Sequence, residues 1–184
     1  MKKTILSIVA VVAISLTSYT ASAQKLVSSK THFKFFSSTP AENIEANNYK
    51  TVGTIDTSTG DIVFSVPMQS FEFEKALMQE HFNSPKFLDT KTNPKAKLTG
   101  KITDLSKVNF GKDGSYIVDV SGDLTINGVT NAVKEKATIT VTDGKVGLNS
   151  KLNVTLADYK IAFKSGKPST NIAKTVEVTV HANY

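Results

Sequence analysis

From residue 116 to residue 156 apolar and polar side chains alternate with few interruptions. Tyr116, Val118, Val120, Leu124 and Ile126 share one parity, and the positions between them, Asp119, Ser121, Asp123 and Thr125, are polar. That period of two belongs to a strand with one face in a core and the other in water. After Asn127-Gly128 the pattern resumes, with Val129, Val133, Ala137, Ile139 and Val141 on one side and Thr130, Lys134, Lys136, Thr138 and Thr140 on the other. Asn-Gly accepts the left-handed angles of a two-residue hairpin turn, so Ile126 is expected opposite Val129. Asp143-Gly144 gives the same signal, opposes Val141 to Val146, and passes the apolar face to Leu148, Leu152, Val154 and Leu156. Three long antiparallel strands with one apolar face are predicted.

Five further strands flank this meander. Ala96, Leu98, Gly100 and Ile102 alternate with lysines and a threonine, and Val176, Val178, Val180 and Ala182 alternate with Thr175, Glu177, Thr179 and His181. Thr31 to Ser37, Tyr49 to Asp56 and Asp61 to Phe73 also read as strands, with Thr59-Gly60 turning the second of these into the third. Eight antiparallel strands of this length favour an extended all-β barrel, which leaves no free edge, over a two-sheet sandwich, whose strands typically have about five to six residues. An elongated barrel can enclose a tunnel.

Two segments break the alternation. In Glu74 to Phe82 the apolar Leu77, Met78 and Phe82 fall with His81 on a helical face, Glu72 and Glu74 suit a helix start, and Ser84-Pro85 stops it. A short inserted helix is predicted there, covering one side or mouth of the barrel. Asp158 to Gly166 reads as an irregular excursion before the last strand. Within the meander, Asn131 and Glu135 fall on the apolar face, and an unpaired carboxylate in a dry core is costly. A bulge between residues 131 and 136 that turns Glu135 outward is the favoured reading. Without a bulge, both residues become polar groups in the tunnel, able to orient a head group.

The first 23 residues stand apart. Lys2 and Lys3, the apolar run from Ile5 to Leu16, and Ala21-Ser22-Ala23 have the form of a secretory signal peptide cleaved near Ala23. Residues 24–184 then form one domain, in the periplasm or secreted, and the absence of Cys leaves burial and strand pairing to stabilise it. Without Lys2 and Lys3 the formal net charge falls to about +4. There is no Arg, and the lysines at 95, 97 and 101 alternate along a strand face, which argues against a nucleic-acid partner. Neither transient contact with a membrane surface nor homodimerisation conflicts with the sequence.

Catalytic chemistry finds little footing. The chain has no nucleophile elbow, no glycine-rich phosphate loop and no pair of acids in an apolar setting, so it reads as a non-enzyme without a cofactor. His32 and His181 fall on polar strand faces and His81 on the helix, with no zinc-ligand spacing, so no metal site is expected.

Residues 73–102, FEKALMQEHFNSPKFLDTKTNPKAKLTGKI, followed by GDLTINGVT at 122–130, resemble the YceI-like family of lipid- and polyisoprenoid-binding proteins. His81-Phe82, Phe87, Pro94 and the run from Gly122 to Thr130 carry the likeness, which extends over nearly all of residues 24–184. The resemblance implies a lipocalin-like barrel whose hydrophobic tunnel holds a small-molecule ligand: a polyisoprenoid, an isoprenoid quinone or a fatty-acid derivative. Where many members have Arg-Ser-Asp-Phe-Gly, this chain has Leu156 at the Arg position and Lys160 at the Gly position. The expected tunnel lining combines the N-terminal aromatics Phe33, Phe35, Phe64, Phe71, Phe73, Phe82 and Phe87 with Leu77, Met78 and His81 of the helix and Leu124, Ile126, Val154 and Leu156 of the meander. The competing expectation is an exported structural or interaction barrel filled by its own side chains.

Overall fold

The computed structural model describes residues 24–161 and 171–184. The expected signal-peptide segment, residues 1–23, and residues 162–166 of the expected irregular excursion lie outside the described residues. The fold is all-β with one short helix. Its strands are β1 (Lys25–Val27), β2 (Lys30–Ser38), β3 (Asn43–Asn48), β4 (Val52–Asp56), β5 (Asp61–Pro67), β6 (Glu72–Phe73), β7 (Lys95–Ile102), β8 (Gly114–Ile126), β9 (Val129–Thr142), β10 (Lys145–Thr155) and β11 (Thr175–Asn183). Helix α1 (Ala76–Asn83) lies between β6 and β7.

All pairings are antiparallel, in the order β1-β4-β5-β7-β8-β9-β10-β11-β2-β3-β6. Strands β1 and β2 form nearly one continuous segment that pairs with β4 at its start and with β11 beyond, so it joins the two sides of the curled sheet. Backbone bonds from Ser28 to Gly53 O and from Ser29 to Asn183 O mark the crossover. Taking β1 and β2 as one, the ring contains the eight strands that alternation predicts. The count of eleven arises because β1 and β2 are separate strands and β2 continues into a flap, β3 and β6, at the other end.

The flap departs from the strands that alternation predicts. Tyr49 to Asp56 is a strand only from Val52, and Asn43–Asn48 forms a separate one whose core-facing residues include a polar Asn48. That Asn is fully buried because its Nδ2 donates to Pro67 O at 2.9 Å while its Oδ1 accepts from Lys50 N at 2.9 Å. Asp61 to Phe73 is interrupted by a 3-10 turn at Met68–Ser70 after Pro67, which cannot donate to a ladder.

The hairpins match their turn chemistry. Asn127 and Gly128 have φ of 51° and 73°, and Asp143 and Gly144 have 49° and 73°, the left-handed pair of a two-residue turn. Register between β8 and β9 is unbroken from Ile126↔Val129 to Gly114↔Val141. The expected bulge between 131 and 136 is therefore absent, and Glu135 faces inward opposite Val120. At Gly122 the backbones of β7 and β8 come so close that a Cβ would lie 2.3 Å from Thr99 O.

The interior divides in two. Around the Asp143-Gly144 hairpin, Val118, Ile139, Val141, Val146, Ile55 and Ile102 are buried against one another and close the barrel. Towards the Asn127-Gly128 hairpin the walls separate around a space.

Candidate functional site: an apolar cavity

That space is a cavity of about 300 Å³, the lower end of the range for ligand pockets. Its deep end is set by Ile62, Val120, Ala137 and Leu148, where the packed half of the barrel begins. Its outer end lies under α1 and the flap. All of the expected lining residues except Leu77 border it: Phe33, Phe35, Phe64, Phe71, Phe73, Met78, His81, Phe82, Phe87, Leu124, Ile126, Val154 and Leu156.

Strand alternation places the β8 and β10 members. Leu98 of β7 pairs directly with Leu124, so two leucines share one level of the wall, and Val154 of β10 and Leu156 just after it line the same cavity. Asn127, besides forming the turn, holds this end together. Its Nδ2 donates to Tyr159 O at 3.1 Å and its Oδ1 accepts from Asn93 Nδ2 at 3.0 Å, linking the hairpin to the segments after β10 and before β7.

The aromatic end is built around Phe82. Its ring lies 5.7 Å from Phe35, 5.6 Å from Phe71, 5.0 Å from Phe73 and 6.4 Å from Phe87, spacings at which aromatic pairs attract. Phe82 thus joins β2, the flap and the segment after α1 on one wall. In α1, Met78, His81 and Phe82 stand at i, i+3 and i+4 and share one face. Leu77 lies a quarter-turn round and is 60 % exposed, outside the cavity. No acidic residue occupies the first turn of α1: Lys75 is its N-cap and Glu74 stands just before it. Glu72 pairs with Asn47 in the flap.

Polar groups at the cavity are few and mostly engaged. Ser37 Oγ accepts from Ala173 N at 2.8 Å, and Ser150 Oγ donates to Lys136 O at 2.8 Å. At the outer rim Lys75 donates to Glu42 at 2.9 Å and holds its carboxyl below the ordinary carboxylate range. Asn131, the other polar residue of the inward face, donates to Asp158 O at 2.8 Å and helps close the end of the barrel. Burial pushes the nearby Tyr159 hydroxyl up from its ordinary pKa, with Asn131 acting in the opposite direction. Asn131 is a structural tie, whereas Glu135 lines the cavity.

The departures from the family pattern now have places. Leu156 puts an aliphatic side chain on the cavity wall where many members carry Arg. Lys160, at the Gly position, has a φ of 54°, so the chain keeps the left-handed backbone that glycine adopts most easily. His32 and His181, both on the outside as expected, are direct cross-strand partners with ring centroids 6.0 Å apart. Tyr49 stacks on His32 at 4.7 Å. Among the described residues no group of His, Cys, Asp and Glu is arranged to hold a metal ion.

Comparison with known proteins places this architecture. The chain is similar to a polyisoprenoid binding domain from Saccharophagus degradans implicated in plant cell wall breakdown, with a TM-score of 0.73 and 18 % identity over 88 % of this chain and 98 % of that one. It is similar to BcnA of Burkholderia cenocepacia, with a TM-score of 0.67 and 16 % identity over 84 % and 96 % of the two chains. A YCEI protein of Campylobacter jejuni follows with a TM-score of 0.56 and 18 % identity over 74 % and 80 %. At these identities the likeness is one of fold. No curated protein matches the chain. The model of the YceI-like domain matches residues 18–184, and the chain belongs to the YceI-like domain family.

Proposed function

We propose that this protein is an exported binding protein that holds one long-chain amphiphile, a polyisoprenoid, an isoprenoid quinone or a fatty-acid derivative, in the cavity between α1 and the middle of the barrel. The observation that carries the reading is the division of the interior: one half of the barrel is filled by its own side chains, and the other is lined by the same kinds of residue but left open. Apolar walls with few free polar groups suit a flexible hydrocarbon, whose transfer from water gains about 0.8 kcal/mol per buried methylene. A barrel that works only through its outer surface has no use for that space. The similar domain from Saccharophagus degradans, which binds polyisoprenoid, supports the choice of ligand class. Residues 1–23 support export to the periplasm or beyond, with Gln24 as the first residue of the mature protein. The reading calls for no cofactor and no catalysis.

Titration of the purified protein with isoprenoid alcohols of increasing length, from farnesol upward, tests it. The expected result is saturable binding of one chain per protein, tightening with length until the cavity is full and then levelling off. Absence of saturable binding for every chain overturns the reading.

A further inference from the structure

Among the described residues the strand ladder around the cavity is incomplete on one side. Strands β9 and β10 pair from Lys145↔Thr142 to Ser150↔Ala137 and then stop, although β9 runs on from Ala137 back to Val129 against β8, and β10 runs on to Thr155 against β11. The unpaired stretch is bounded by two side-chain ties, Ser150 Oγ to Lys136 O at 2.8 Å and Asn131 Nδ2 to Asp158 O at 2.8 Å. Between them, Val133 and Glu135 face Leu152 across a gap in the ladder, and all three are half-buried although they point inward. Ala137, the next inward residue on β9, is buried.

Glu135 sits at this gap and also lines the cavity, directly opposite Val120 and therefore near its deep end. It makes no hydrogen bond or ion pair with any other described residue. The neighbouring lysines do not answer it: Lys134 and Lys136 alternate to the outer face, where Lys136 is held by Asp119 at 2.7 Å, and Lys151 is held by Glu177 at 3.0 Å. Of the other charged residues at the cavity, Glu42 is engaged by Lys75, and Lys97 alternates outward between Ala96 and Leu98. A carboxylate placed against apolar lining without a partner is unfavourable unless water or a ligand supplies donors. The gap gives it water when the cavity is empty.

We propose that Glu135 is a head-group site: it selects long-chain ligands whose polar end is an ammonium or a hydroxyl, seated at the gap between β9 and β10, over chains ending in a carboxylate. This inference rests on the reading of the cavity as a chain-binding site and adds where the polar end lies and what it carries. The donor of such a ligand replaces the water on Glu135, while its hydrocarbon extends towards α1 and the aromatic wall. An anionic end at the same level meets a like charge.

Three ligands with one chain and different ends, oleylamine, oleyl alcohol and oleic acid, separate the possibilities. Their affinities are measured on the purified wild-type protein, on Glu135→Gln and on Glu135→Leu, with melting curves to confirm that both variants are folded. Wild type is expected to bind the amine about tenfold or more tighter than the acid, the scale of one charge-assisted hydrogen bond. Glu135→Gln is expected to lose the preference for the amine while retaining the alcohol, and Glu135→Leu to bring the three ligands to similar affinity. Equal affinity for amine and acid in the wild type, or a preference that survives Glu135→Leu, overturns the head-group site and leaves the chain-binding reading standing. Failure of all three to bind on a preparation that does bind an isoprenoid alcohol overturns the head-group site alone, and failure of the isoprenoid alcohol as well overturns the chain-binding reading and the site with it.

Discussion

Leu124→Trp tests whether the space beside the Asn127-Gly128 hairpin receives a ligand or is a packing remnant. Leu124 is buried, pairs with Leu98 of β7 and faces the cavity. The larger side chain fills a volume equal to about two methylene groups of a bound chain, and a cavity of about 300 Å³ has room for it. At about 0.8 kcal/mol per methylene, excluding two of them weakens binding by about 1.6 kcal/mol, or about fifteenfold in Kd. Stability is expected to change little, because open space accepts volume that a packed core does not. In a self-filled barrel the same change costs about 1 to 3 kcal/mol through overpacking, which for a domain of this size lowers Tm by roughly 2 to 12 °C. The chain contains no Trp, so the introduced indole is also a unique fluorescence probe of the cavity. Melting curves and isoprenoid titrations on the same preparation decide the matter. A marked fall in Tm with unchanged affinity refutes the reasoning.

Three other substitutions probe the frame around the cavity. Gly122→Ala brings a Cβ to 2.3 Å from Thr99 O and 2.4 Å from Gly100 Cα, backbone atoms that move only if β7 and β8 separate. A loss of about 1 to 3 kcal/mol is expected by denaturant titration, and a neutral result contradicts the close approach. Phe82→Ala removes the ring that joins Phe35, Phe71, Phe73 and Phe87, and is expected to cost about 3 to 5 kcal/mol in the same assay. A loss below about 1 kcal/mol shows that this wall is loosely packed. Lys160→Gly relieves a non-glycine residue at a φ of 54° and is expected to raise stability by up to about 1 kcal/mol, seen as a higher Tm. A lower Tm refutes the strain argument.

The long hairpins were legible because two independent signals agree in them: alternation fixes which side chains face inward, and Asn127-Gly128 and Asp143-Gly144 fix the register. The flap was not legible. Asn43–Asn48 reads NIEANN, with little β-branched or aromatic content, and it is a strand because β2 and β6 pair with it and because Asn48 finds partners. The short β1 has the same character, existing only through its pairing with β4. Glu135 shows the limit of a burial argument. Its parity places it inward, and the cost of an unpaired carboxylate argues for a bulge. The structure keeps the parity and instead leaves β9 and β10 unpaired beside it, an interruption between strands that neither strand's own sequence announces. The helical pattern puts Leu77 on one face with Met78, His81 and Phe82, but neighbouring positions on a helix point about 100° apart, and the inward face goes to the other three while Leu77 stays exposed. The meeting of His32 with His181 depends on the register between β2 and β11, which no local signal sets.

The central claim is that the open half of the barrel holds a long apolar chain. The most direct measurement is native mass spectrometry of the protein recovered after export and purified without detergent, followed by organic extraction of the same sample. The account predicts a species heavier than residues 24–184 by the mass of one amphiphile, with an isoprenoid or fatty chain recovered in the extract. A bare polypeptide mass, unchanged after incubation with isoprenoid and fatty chains, contradicts it.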